Sequence, residues 1–243
     1  MRFLLLPLGI VYGIIITLRN FFYDVGIFKI TPMSTPVISV GNITAGGAGK
    51  TPMTITLAEV GKLRGFKPGI VSRGYGRNSK GLQIVHDGNE MKDTVENSGD
   101  EPFLMASLLK DIPVVVSGNR VDGADRLIQD YGVNLIILDD AFQHRKIYRD
   151  IDIVLINASE KSSAYHMLPV GQLREFPWEL NRAETQLTPI LIPWNPPGLY
   201  RSFLPPRLRI LRPQLLLHLP PFPHLPYLRL RPFRWLCRHR KPK

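Results

Sequence analysis

Short apolar runs alternate with longer amphipathic stretches from Pro36 to about Asn157. Pro36-Val37-Ile38-Ser39-Val40, Ile70-Val71-Ser72, Pro113-Val114-Val115-Val116-Ser117, Leu135-Ile136-Ile137-Leu138 and Ile151-Asp152-Ile153-Val154-Leu155-Ile156 are nearly continuous apolar segments, as in strands covered on both faces of a largely parallel sheet. The helical stretches between them begin near Thr51, Glu101 and Arg120. This order predicts a doubly wound, mostly parallel α/β domain, a fold that binds ligands beyond the carboxyl ends of its strands. Gly81-Leu82-Gln83-Ile84-Val85 and Glu90-Met91-Lys92 flank His86-Asp87-Gly88-Asn89, so a hairpin is expected near residues 81–92, read as a flap inserted beside the site.

The two ends of the chain follow different patterns. Between Arg2 and Arg19 lie 16 uncharged residues. A helix of that length rises about 24 Å, short of the roughly 30 Å hydrocarbon core of a bilayer. With Arg19 able to snorkel and Phe21, Phe22 and Tyr23 at the interface, residues 1–33 read as a short membrane anchor or shallowly inserted helix with its linker. A cleaved signal peptide is disfavoured because no small-residue cleavage site follows, and a buried soluble helix is the other alternative. Residues 34–184 form the expected α/β domain. Beyond Glu184 the chain turns to Leu, Pro and Arg, with 13 of its 22 prolines and only Gly198 of its 20 glycines. Proline at this density opposes both helices and central strands. Residues 185–243 therefore read as a basic membrane-surface segment or as out-of-frame translation appended to a shortened domain. The loss of every acidic residue favours the second.

The net charge of +11 belongs to that tail, which holds 11 Lys and Arg and no acid, whereas residues 1–184 hold 20 of each sign. A neutral α/β domain gives no support to nucleic-acid binding. The single cysteine, Cys237, excludes an intramolecular disulfide framework.

Chemistry concentrates after the first strand. Gly41-Asn42-Ile43-Thr44-Ala45-Gly46-Gly47-Ala48-Gly49-Lys50-Thr51 joins that strand to a helix, the setting of a phosphate-binding loop, so the domain is expected to be P-loop NTPase-like. Thr44, Gly46, Gly47, Ala48 and Gly49 would wrap the phosphates of ATP, Lys50 would reach the terminal phosphates, and Thr51 would offer a hydroxyl to Mg²⁺. Thr44 stands where the usual spacing has glycine; an ordinary glycine-rich turn is the plainer alternative. Asp139 and Asp140 end an apolar strand, where a carboxylate holds Mg²⁺ or its waters opposite the loop. Asp100 and Glu101 open a helix, either favouring its dipole or orienting an attacking hydroxyl. Arg120 also follows a strand end, placed to stabilise phosphoryl charge or to form a surface salt bridge. His144 is either structural or catalytic.

Ser39-Val40-Gly41-Asn42-Ile43-Thr44 with Gly49-Lys50-Thr51-Pro52, Ser72-Arg73-Gly74-Tyr75-Gly76, Gly99-Asp100-Glu101-Pro102, Asp139-Asp140-Ala141-Phe142-Gln143-His144 and Leu168-Pro169-Val170-Gly171-Gln172-Leu173-Arg174-Glu175 together resemble the tetraacyldisaccharide 4'-kinase family of the Gram-negative lipid A pathway. The likeness runs in order to about Ala183. It implies transfer of the γ-phosphate of ATP to the 4'-hydroxyl of a tetraacylated disaccharide 1-phosphate, giving lipid IVA, at the cytoplasmic face of the bacterial inner membrane. It further implies Asp100 as base with Glu101 and Arg120 beside it. Asp139 and Asp140 would serve metal and phosphate, His144 and Glu175 would line the site, and Arg73 and Tyr75 would hold the sugar or its phosphate. No obligate protein partner is implied. Family members continue beyond this length into a second lobe that supplies a histidine pairing with the base; His218, His224 and His239 match no family motif. Ala141 replaces the glycine usual after the paired aspartates.

Overall fold

A computed structural model describes residues 5–157, 166–183 and 185–187 of the chain. Among the described residues seven strands form one sheet: β1 (Val37–Gly41), β2 (Pro68–Ser72), β3 (Gln83–His86), β4 (Val114–Val116), β5 (Leu135–Leu138), β6 (Ile151–Leu155) and β7 (Thr185–Leu187). Their spatial order is β3-β4-β2-β5-β1-β6-β7, and every pairing is parallel except that of β3 with β4. Every residue of β1, β2, β4, β5 and β6 is buried, which is why these strands read as continuous apolar runs.

Helices α2 (Lys50–Leu63) and α4 (Asp100–Leu108) lie on one face, and α5 (Arg120–Tyr131) covers the other; the one-turn α3 (Val95–Ser98) leads into α4. Val121, Ala124 and Leu127 of α5 pack on Val71, Val115, Ile136 and Leu138, whereas a Cβ at Gly61 of α2 would strike Leu135 on the opposite face. Helix α5 stops at Gly132, whose left-handed conformation (φ 61°) lets its N–H close on the Leu127 carbonyl.

The N-terminal helix α1 (Leu6–Asp24) lies against the domain rather than apart from it. Its buried positions are Gly9, Gly13 and Asn20, and added methyls at the two glycines would contact Val170 and the Phe176 ring at 3.0 and 2.9 Å. The opposite side exposes Leu8, Ile10, Val11, Ile14, Ile15, Leu18 and Phe21, each at least half exposed. Helix α1 thus presents a small-residue face to protein and a large apolar face to the outside. Beneath it Ile43, Phe142, Val154, Met167 and Leu173 form a second core.

Two expectations change. The segment near 81–92 does turn back on itself, through Asp87 N–H to the Glu90 carbonyl (3.2 Å) and Lys92 N–H to the Val85 carbonyl (2.8 Å). Its first arm is nevertheless no flap. It is the antiparallel edge strand β3, where it satisfies the outer backbone groups of β4. The domain also runs past residue 184, because Thr185–Leu187 pair with β6 as β7. Residues 188–243, and with them most of the Pro/Leu/Arg-rich tail and its histidines, lie outside the described residues.

Gly41 ends β1 where Phe142 crosses it, and a methyl there would sit 2.5 Å from the Phe142 Cβ and 2.7 Å from its nitrogen. Gly41→Ala is expected to lower stability by about 1–3 kcal/mol in urea denaturation. Gly47→Ala, which meets open space, should leave the midpoint essentially unchanged.

Candidate active site

The loop after β1 is drawn around Lys50. Gly49 holds φ 79°, a left-handed turn that starts α2 directly on Lys50 with no side-chain cap, so the first helical N–H groups stay available to an anion. The Lys50 ammonium, 8% exposed, donates to Asn42 Oδ1 and the Gly46 carbonyl, both at 3.3 Å, and lies 3.6 Å from Asp140. Gln143 Nε2 donates to the Asn42 carbonyl at 2.8 Å, tying the loop to the segment after β5.

The loop's first half is braced from the far end of the described chain. Thr44 pairs with Leu173, Ala45 N–H donates to the Gln172 carbonyl, and Arg174 N–H to the Ile43 carbonyl, the last two at 2.7 Å. Thr44, where the usual spacing has glycine, is thus a strand-like bridge residue. Gly46, Gly47 and Ala48 complete the bend.

At the end of β5 the two aspartates face different surroundings. Asp139 is fully buried, and its oxygens accept hydroxyl hydrogen bonds from Thr54 (3.2 Å) and Ser72 (3.0 Å). Burial, reinforced by the charge of Glu101, raises its pKa to about 6, against the Ser72 hydrogen bond and Lys50. Asp140 adopts φ 46° and turns toward the loop, where Arg174 Nη1 donates to both of its oxygens at 2.9 and 3.0 Å. Ala141 is buried in the α5-side core, which accommodates its methyl.

Arg120, at the start of α5, is 1% exposed and donates to the Ser117 carbonyl (2.7 Å) and the Asp139 carbonyl (3.3 Å). Burial lowers its pKa to about 10, which leaves it cationic at neutral pH. It is therefore a fixed charge beneath the strand ends rather than a surface salt-bridge partner. Burial and the neighbouring Arg120 charge lower His144 to about 4, so its ring is neutral, and its Nε2 has no partner among the described residues.

Arg73, Tyr75, Asp100 and Glu101 meet at the same edge. A Cβ on Gly74 would lie 2.6 Å from the Ser98 carbonyl, and one on Gly99 would lie 2.9 Å from that of Tyr75. The turn after β2 thus packs on the start of α4. Arg73, Asp100 and Glu101 are exposed there, and Tyr75 is 88% exposed. Strands β4, β2, β5 and β1 are consecutive neighbours, so Arg120, Arg73, Asp139 and the loop fall side by side at their carboxyl ends.

Glu175 departs from expectation. It is fully buried, with Arg19 donating to Oε1 at 2.5 Å, Arg182 to Oε2 at 2.6 Å, and Asn20 to Oε1 at 3.4 Å. Both oxygens are committed to protein, so Glu175 fastens α1 instead of lining a substrate surface. Its neighbour Arg174 faces Asp140. Arg174, Asn42, Ser72 and Thr54 carry site contacts that the sequence reading left unassigned. The signal for Arg174, Asn42 and Ser72 is their place inside the quoted motifs; Thr54 lies outside all of them and gave no local signal.

Comparisons with known proteins bear on the family of the chain. The family model described as tetraacyldisaccharide-1-P 4'-kinase (LpxK) matches residues 1–191. Among curated relatives named tetraacyldisaccharide 4'-kinase, that of Chlorobaculum parvum is 45% identical over 185 residues, covering 75% of this chain and 51% of the relative. That of Chlorobaculum tepidum is 46% identical over 175 residues, covering 71% and 50%. A crystal structure of "apo" form LpxK from Aquifex aeolicus in complex with ATP superposes with a TM-score of 0.73 at 41% identity, covering 80% of this chain and 61% of that one. The chain spans about half the length of the curated relatives it matches.

Asp139 links the site to stability. The folded state binds its proton more tightly than the unfolded chain, whose reference value is 3.8. Stability therefore falls as pH rises from about 4 to about 6, and above that window the buried charge costs on the order of 3 kcal/mol. Asp139→Asn is expected to raise the thermal midpoint of the ligand-free protein at pH 8 and to lose that advantage near pH 4. A midpoint lowered at pH 8 would contradict the assigned burial cost. From the loop, the paired aspartates, the matched motifs and the family model, this chain belongs to the tetraacyldisaccharide-1-P 4'-kinase family.

Proposed function

We propose that this chain transfers the γ-phosphate of ATP to the 4'-hydroxyl of tetraacyldisaccharide 1-phosphate, giving lipid IVA, at the cytoplasmic face of the bacterial inner membrane. The observation that carries the proposal is the placement of Lys50, Asp139, Asp140 and Arg120 at one edge of the sheet in a chain that also exposes the apolar side of α1. A substrate with four acyl chains stays in the bilayer, and an enzyme lying on the surface through α1 meets it there.

Lys50 would exchange its bonds to Asn42 and Gly46 for phosphate oxygens, while the uncapped start of α2 supplies N–H donors. Thr51 and Asp139 offer oxygen-only donors, which fit a hard cation that keeps waters and phosphate oxygens in its shell, and Asp140, held by Arg174 through both oxygens, would serve that shell through a water. Mg²⁺ held there would neutralise the β- and γ-phosphates. Asp100, exposed at the start of α4, would accept the proton of the sugar hydroxyl, with Glu101 beside it. Arg120 would act through its fixed field on the transferring phosphoryl group, and His144 through one hydrogen bond of a neutral ring. Arg73 and Tyr75, open to solvent beside Asp100, would hold the sugar or its 1-phosphate.

The test is phosphate transfer from γ-labelled ATP to the disaccharide lipid in mixed micelles, run beside simple ATP hydrolysis. Transfer by the 243-residue chain supports the kinase reading. Since the chain covers half of its curated relatives, ATP binding without transfer would identify a nucleotide- and membrane-binding protein instead. Lys50→Ala should reduce transfer ~10²–10³-fold while vesicle association persists. Asp100→Ala should lower turnover more than ATP affinity; equal losses would make it a nucleotide ligand. With Ile14 and Leu18 both replaced by Glu, vesicle co-sedimentation in high salt, where attachment by basic residues is screened, should be lost.

A further inference from the structure

Two loops that frame the phosphate site are fastened to the same face of α1. The first is residues 172–175. Tyr12 of α1 donates its hydroxyl to the Arg174 carbonyl at 3.1 Å, and Arg19, two turns on, donates to Glu175 Oε1 at 2.5 Å. The second is the segment after β5, where Arg145 donates to the Asn20 carbonyl at 3.1 Å and to Asp24 Oδ1 at 2.6 Å. Between these ties stands Arg174. Its backbone N–H closes on the Ile43 carbonyl of the phosphate loop, and its guanidinium grips Asp140.

This geometry has an electrostatic consequence. Asp140 lies 3.6 Å from the Lys50 ammonium. A carboxylate without its guanidinium partner would compete with phosphate for Lys50 and repel the incoming anion. Arg174 neutralises Asp140 and leaves Lys50 available, but only while residues 173–175 are held in register. Tyr12 and Arg19 reach that segment from a helix more than 150 residues away in sequence.

We propose that α1 is a positioning element of the phosphate site as well as an apolar surface, with Tyr12 and Arg19 acting as positioning residues through Arg174 on Asp140 and Lys50. The inference rests on reading the loop as the nucleotide site. It predicts that nucleotide affinity depends on a helix that lies outside the phosphate loop.

The experiment titrates Mg²⁺ and a non-hydrolysable ATP analogue into the full 243-residue chain in detergent micelles by calorimetry, with far-UV circular dichroism as the control for folding. Arg19→Met retains an apolar stem and leaves Glu175 paired with Arg182. It should weaken binding at least fivefold, and Arg19→Lys should restore most of the loss. In an Arg174→Ala background the Arg19→Met effect should vanish, because the two act in series. Wild-type affinity in Arg19→Met would overturn the proposal. So would a fivefold loss that persists undiminished without Arg174, the mark of a general structural role. Should Arg19→Met fail to fold, Tyr12→Phe enters the same cycle: a loss that disappears without Arg174 supports the proposal, and unchanged binding overturns it. A wild-type chain that binds no nucleotide would refute the site itself and this inference with it, an outcome distinct from wild-type binding that the variants leave unaltered.

Discussion

A carboxylate held in the interior with two hydroxyl partners sets the terms for the rest of this fold. Asp139 lies at the end of a fully buried strand, and neither Thr54 nor Ser72 supplies the charge that its ionised form requires. The cations nearby are arranged to leave it short of a partner: Lys50 bonds to the loop, and Arg120 spends its terminal nitrogens on backbone carbonyls. An ion pair would have relieved the burial cost and closed the site. On the proposed reading, a bound cation would relieve that cost, a trade between stability and function.

Around that centre the molecule works through convergence of chain ends. Parallel strands deliver the phosphate loop, Ser72–Arg73, Ser117–Arg120 and Asp139–Asp140 to one edge because all four run in the same direction. The second core, beneath α1, brings residues 167–176 against that edge from outside the sheet. Helix α1 can do this because glycine at positions 9 and 13 permits close approach, while its large aliphatic side chains point away. One helix thereby joins an apolar outer surface to the backbone of the phosphate loop.

Much of this was legible in the sequence. Fully buried strands announce themselves as apolar runs, and the glycine-rich turn between strand and helix carries its own physical meaning. The three long helices after the loop start within one residue of the expected Thr51, Glu101 and Arg120. Partnership between distant segments was not legible. Thr54 and Asp139 are 85 residues apart, and Arg19 and Glu175 are 156 apart. Nothing local distinguishes a glutamate that faces a substrate from one buried between two arginines, which is why Glu175 was misplaced and Arg174 passed over. The partner of β3 is illegible for a related reason: a hairpin pattern specifies the strand and its turn, whereas pairing with β4 is a tertiary choice.

The most direct measurement of the central claim is hydrogen–deuterium exchange of the 243-residue chain with and without Mg²⁺ and ATP. Protection concentrated in residues 41–51, 139–140 and 172–175 is the predicted result, because the loop, the aspartates and the bracing segment form one ligand-facing unit. No change in these segments, or protection confined to another part of the domain, would contradict it.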